Sequence, residues 1–268
     1  MCILASPVKS VANTRIFVGY DDSRTRQLTV YSMSVQLQQR TGKGNAMILP
    51  VPTGLLAATS IQPVDLSDTP DFFQPFVERF QVRSRSLSLS TGLDRDSLAV
   101  IRVGNYDVSI VPTVDDVKRL NPDVFAVSAE TERTLRKNYP NRCAFLVAQL
   151  RVSGDFHPLG YTHPLVGGHL FVPTRHEHGN TSATATADWD HEIFYLTARD
   201  PVTMPLAERN YAYRKTLDAS AARHVLQEVA DQLPTDSPVR PFLSQGAPLS
   251  RLKGRGPLAN IDLTIPLV

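Results

Sequence analysis

Apolar and polar positions alternate along this chain with two distinct periods. In residues 27–37, Thr29, Tyr31, Met33, Val35 and Leu37 stand against Leu28, Val30, Ser32, Ser34 and Gln36. That period of two predicts a strand whose odd positions form the more apolar face. Residues 14–19 are rich in β-branched and aromatic side chains, and the polar run 20–26 lies between the two stretches. The pair therefore predicts a long antiparallel hairpin. A third strand is expected over 45–52, where Pro50 and Pro52 cannot donate to a ladder. Its end should lie at an edge or leave the sheet.

The period then changes. Phe72, Phe73, Phe76, Val77 and Phe80 recur at helical spacing, with Asp65 and Asp71 as caps, and predict a helix over 64–80. The Ser-rich basic run 83–92 reads as a flexible loop. Strands are expected over 98–104 and 106–111, followed by a short helix at 113–120 with acids at its start. Residues 128–137 form a helix capped by Ser128, with basic residues at its end. The nearly continuous apolar run 143–152 predicts a central strand covered on both faces. Residues 157–163, 169–176 and 191–196 extend the sheet, and Ala222, Val225, Leu226, Val229 and Leu233 mark a helix over 219–233. From Asp236 onward the chain is rich in proline and glycine and is expected to wrap the surface as an extended arm. The order of strands, helices, strands and helix gives an α+β fold: a mixed, mainly antiparallel sheet with a few packed helices and an extended Pro-rich C-terminal arm. The domain division is 1–235 for a single α+β domain and 236–268 for the arm.

Composition narrows the class of function. Of 268 residues, 42% are apolar and 20% charged, which excludes whole-chain disorder and fibrous repeats. With 28 Lys+Arg against 26 Asp+Glu, a formal charge of +2 does not imply nucleic acid as an obligatory partner. The longest apolar region, 46–60, is broken by Pro50, Pro52 and Gly54, and falls short of a membrane span. Two cysteines and no signal pattern predict a cytoplasmic protein without a disulfide framework.

Two places carry candidate chemistry. Met1 precedes a small residue, Cys2, and its removal would leave a thiol beside its own α-amine. An amine of ordinary pKa about 7.7–8.0 can act as the general base for that thiol, which is the logic of amino-terminal nucleophile hydrolases. Asn45, beside Gly44 at a strand start, is the type of residue that donates to an oxyanion. His176 is the belt histidine that would assist as acid or base. The leading expectation is therefore a hydrolase or acyl-transfer enzyme acting on an amide or related bond. A non-catalytic assembly protein is the alternative from another class: strand edges and the arm would pair copies of the chain into a homo-oligomer.

The second place is a belt of histidines. Six of the seven (His157, His163, His169, His176, His178 and His191) lie within residues 157–191, and the other is His224. On a strand, His176 and His178 face one side with Glu177 opposite. A His-x-His pair with Asp190 and His191 from a neighbouring strand could hold zinc or another divalent metal. The competing reading is a hydrogen-bonded polar core network. No other cofactor is expected. Arg83, Arg85, Arg95 and Arg102, with Arg251, Lys253 and Arg255 in the tail, are the remaining candidates for binding; residues 252–257 could grip a phosphate backbone or an acidic partner, and without interleaved aromatics they read as a solvated tail.

Three segments together resemble a family: the opening Cys2 with its strand pair and the Pro50-Val-Pro52 strand end, residues 103–111 around Gly104-Asn-Tyr-Asp-Val108, and residues 170–176. The layout is similar to that of uncharacterised bacterial proteins which begin, after signal cleavage, with a cysteine. The chain departs from them in lacking the signal peptide and the glycine pair after the cysteine. The resemblance implies that Cys2 is the mature start, and it implies no activity.

Overall fold

The computed structural model describes residues 3–38, 45–54, 60–80, 98–139, 143–151, 153–178, 186–204, 212–244, 246–254 and 256–267. Its strands in the first half are β1 (Ile3–Leu4), β2 (Val8–Tyr20), β3 (Arg26–Leu37), β4 (Asn45–Pro52), β5 (Gln62–Asp65), β6 (Ile101–Val103) and β7 (Tyr106–Val111). β8 (Cys143–Leu150), β9 (Gly154–Asp155), β10 (Leu159–Pro164), β11 (His169–Val172), β12 (Glu177–His178), β13 (Thr186–Trp189) and β14 (Glu192–Tyr195) follow. β15 (Ala212–Leu217), β16 (Leu249–Gly254), β17 (Gly256–Ala259) and β18 (Leu263–Pro266) complete them. The α-helices are α1 (Gln74–Phe80), α2 (Ala129–Asn138) and α3 (Ala219–Ala230). The fold is α+β and mainly β.

A six-stranded sheet has the order β12-β1-β4-β8-β7-β6. An eight-stranded sheet has the order β15-β16-β14-β2-β3-β10-β5, with β9 on β3. Two short ladders, β11 with β18 and β13 with β17, stand apart from both. Pairing between named strands is antiparallel except for β1 with β12 and β14 with β2. The hairpin of β2 and β3 forms as its alternation predicts, and Asp21 closes the turn by accepting the backbone N–H groups of Thr25 and Arg26 at 2.8 Å each. Its last third alternates as expected, with Met33 and Val35 buried and Ser32 and Ser34 half-buried. β8 is central between β4 and β7, and every residue after Cys143 is buried. Among the described residues β1 pairs with Met47 and Ile48 of β4 and reaches neither Pro50 nor Pro52.

The two faces of the six-stranded sheet serve different clusters. Leu4, Met47, Leu49, Leu146 and Ala148 join the core shared with the eight-stranded sheet, α1 and α3. Ile3, Ile48, Phe145 and Val147 face a separate cluster with Leu135 of α2 and Val114 and Val117 of a 3-10 turn. α2 starts where expected, because the Ser128 side chain accepts the Thr131 N–H.

Three expectations are corrected. The helix expected over 64–80 is a strand, a run of turns and then the short α1. Asp65 accepts the N–H of Ser67 and of Gly104 instead of capping, and Pro75 sits in the first turn, where its missing N–H is harmless. Phe72 and Phe73 are buried all the same, against Phe17 and Phe194 respectively. The short helix expected at 113–120 does form, as a 3-10 helix over Val114–Arg119 with Asp115 and Asp116 in its first turn. Residues 169–176 do not extend a large sheet: β11 pairs only with β18. The tail beyond Asp236 is not a surface arm, since β16 lies inside the eight-stranded sheet between β15 and β14. Leu249, Leu252, Leu258, Leu263 and Ile265 are all buried there. Burial of such side chains stabilises by roughly 1.5–3 kcal/mol each, which outweighs the turn preference of the interspersed proline and glycine. The loop expected over 83–92 lies outside the described residues.

Candidate metal centre

His176 follows β11 in an extended stretch and immediately precedes β12. One side chain clamps its backbone on both sides: Asn260 Oδ1 accepts the His176 N–H at 2.6 Å, and Asn260 Nδ2 donates to the His176 carbonyl at 2.7 Å. Asp190 and His191 form the corner between β13 and β14. The Thr14 backbone N–H donates to Asp190 Oδ2 at 3.4 Å, which ties that corner to β2. Asp190 Oδ1 is closed off from solvent and has no hydrogen-bond partner among the described residues. A buried carboxylate oxygen left in that state is costly, and it marks a place where a cation would be stabilised.

The imidazole rings of His176 and His191 lie 4.8 Å apart between centroids. Trp189 covers His191 from another side, with ring centroids 4.6 Å apart. Behind Trp189 the chain has a glycine of necessity: a Cβ on Gly254 would stand 2.7 Å from Trp189 Cε3. His191 is fully buried, and burial, with His176 beside it, holds its imidazole well below the usual histidine range. The neutral ring is the form that ligates a metal.

Three potential ligand atoms, one each from His176, Asp190 and His191, lie within 4.8 Å of one another. Donors of a tetrahedral zinc site with bonds of about 2.0–2.2 Å stand roughly 3.3–3.6 Å apart. The longest edge of the trio would have to close by no more than about 1.5 Å to meet that geometry. The arrangement thus gathers two imidazoles and a carboxylate, a set suited to zinc and related first-row ions.

Three of the four metal candidates read from sequence are together. His178 ends β12, and its side chain lies outside the described residues. Cys2 lies outside them as well. Asn45 is not brought to His176. It is buried at the far end of β1, where its Oδ1 accepts the Ser6 N–H at 2.9 Å and its Nδ2 donates to the Ser6 carbonyl at 2.8 Å. β1 runs antiparallel to β4 with Ile3 opposite Ile48, so Asn45 sits beside the departing chain and not beside its start. Both amide atoms hold the Ser6 backbone.

Other members of the belt are held by their own neighbours. His157 Nδ1 donates to the Pro158 carbonyl at 2.9 Å, and its Nε2 accepts the Asn105 N–H at 2.8 Å. His163 Nδ1 likewise donates to the Pro164 carbonyl at 2.9 Å. Burial lowers both imidazoles, His163 to about 4. His169 and His224 donate to the carbonyls of Gly167 and Ser220. Arg251 is buried on β16 and paired with Glu192 at 2.7 Å, with Lys253 at 3.9 Å and Arg15 at 3.7 Å from the same carboxylate.

Sequence reasoning missed Thr14, Asn260 and Trp189 as supports of the trio. Thr14 acts through its backbone, which no side-chain pattern reveals, and Asn260 lay in the presumed arm. Trp189 could have been found, since it is the single tryptophan of the chain and adjoins Asp190-His191.

No protein-family model matches this chain. Among solved structures it is similar to baculovirus P35, with 10% identity, a TM-score of 0.47, and coverage of 100% of this chain and 99% of that one. A mutated baculovirus P35 after caspase cleavage gives 11% identity and a TM-score of 0.48 over 95% and 99% of the two chains. A caspase-8/P35 complex gives 10% identity and a TM-score of 0.46 over 96% of each chain.

Proposed function

We propose that the protein binds one divalent metal ion, zinc or a similar first-row ion, on His176, Asp190 and His191. The observation that carries this reading is the convergence of three ligand atoms within 4.8 Å from two separate corners of the fold. Asn260 and Thr14 support it by fixing the backbone of His176 and the carboxylate of Asp190, as outer partners do in metal sites. A zinc ion held there by His176, Asp190 and His191 would supply Lewis acidity. Metal analysis after expression with added zinc and exhaustive desalting tests the reading. One equivalent of metal is expected in the parent protein, with strong loss in Asp190→Asn and His191→Gln. A metal-free parent, or variants that hold zinc as tightly as the parent, would reject it.

A second reading keeps Cys2 as an amino-terminal nucleophile. It is favoured by one pairing: Ile3, bonded to Cys2, lies beside Glu177, bonded to His176. The reading needs Met1 to be removed and the thiol to react near neutral pH. Intact-mass measurement and timed labelling with a thiol probe test both. Retained Met1, or labelling of Cys2 no faster than that of a free cysteine in an unstructured peptide, contradicts it.

A further inference from the structure

We infer that an ion held by His176, Asp190 and His191 ties the six-stranded and eight-stranded sheets together at one corner. The inference rests on the metal reading above. His176 leads directly into β12, the edge strand of the six-stranded sheet. Asp190 and His191 lead directly into β14, an interior strand of the eight-stranded sheet. An ion bound by all three therefore joins residues that adjoin both sheets.

The edge that it would secure is short. β12 and β1 pair over only two residues each, Ile3 with Glu177 and Leu4 with His178. Two-residue ladders are weak by themselves, and this one is helped by two side-chain bonds. Asn260 clamps His176, and Asn138 Nδ2 donates to Glu177 Oε1 at 3.0 Å. The opposite side of the corner is firm: β14 is flanked by β16 and β2, and all four of its residues are buried. A bond from the firm strand to the short edge would restrain the edge more than the interior. The ion would act on opening of β12 and β1 as a cross-link does, by removing open conformations from reach.

Zinc-loaded and chelator-stripped parent protein would be compared by thermal melting and by amide hydrogen exchange, with zinc uptake measured in the same samples. At free zinc 100-fold above its dissociation constant, a rise in Tm of roughly 5–10 °C is expected for a chain of this size. Exchange should slow in β1 and β12 as well as around β14. Asp190→Asn should lose both effects, and if that variant does not fold, the stripped parent stands in for it. Stoichiometric uptake with slowed exchange confined to residues 186–195 would overturn the tie and leave the metal reading standing. Absence of uptake would overturn both.

Discussion

Two sets of histidines from one stretch of sequence meet opposite fates. His157 and His163 each precede a proline and donate Nδ1–H to that proline's carbonyl one residue away. Those carbonyls fix the tautomer of each ring, and burial lowers both imidazoles. His176 and His191 lie fifteen positions apart, reach each other across two corners, and share their space with Asp190. A histidine whose ring is fixed by its own chain neighbour is a structural donor. His176 and His191 instead meet each other and a carboxylate through the fold. Clustering along the chain is thus a poor guide to which histidines share a site.

The largest test of the local set replaces Gly104. This residue has φ of +54° in the turn between β6 and β7, and a Cβ there would stand 2.5 Å from His157 Nε2 and 2.7 Å from Ser67 Cβ. Gly104→Ala combines a left-handed backbone with that collision, and should destabilise by about 3–4 kcal/mol in urea unfolding. A loss under about 1 kcal/mol would show that His157 yields easily and is not locked.

The pH dependence of His163 comes next. Its ring is fully buried, Tyr161 stacks beside it at 5.8 Å, and its Nε2 has no hydrogen-bond partner among the described residues. Its folded pKa of about 4 is below the ordinary value of 6.5, so only the unfolded chain takes up this proton between those values. The contribution is intact above pH about 6.5 and falls by about 3 kcal/mol as the pH drops to about 4. His163→Gln should flatten that slope by up to one proton, and a slope equal to the parent's would remove His163 from the set.

Gly254→Ala addresses the convergent set at one remove. The added methyl group collides with Trp189, which packs on His191, and zinc affinity should drop by about 10–100-fold, as loss of outer support does elsewhere. Calorimetric titration with zinc measures it, and an unchanged affinity would show that Trp189 does not position the ring. The smallest effects belong to His169 and His224, whose rings bond exposed carbonyls. Alanine at either should change stability by no more than about 0.5 kcal/mol and leave zinc binding as it was.

Much of the fold was legible. The hairpin of β2 and β3, the buried β8 and the Ser128-capped α2 all follow from local period and capping. The short α1 was not, because Phe72 and Phe73 have helical spacing while residing in turns, and tertiary contacts with Phe17 and Phe194 satisfy them equally well. The tail misled through its proline and glycine content, whereas its buried leucines decide its place in the sheet. At the site, the residue types were visible and their partners were not. His176, Asp190 and His191 could be singled out, yet nothing local separated Asn45 from a catalytic amide or placed Asn260 behind His176. Those assignments depend on strand register and long-range pairing.

Cobalt substitution tests the central claim most directly. Titration of the stripped parent with Co²⁺ should produce visible bands of a low-coordinate nitrogen- and oxygen-ligated ion, saturating at one equivalent and displaced by zinc. Asp190→Asn and His191→Gln should weaken or abolish the bands, while His163→Gln should leave them intact. A spectrum no different from that of hydrated cobalt in the parent protein, or bands that survive loss of His191, would contradict a metal centre on this trio.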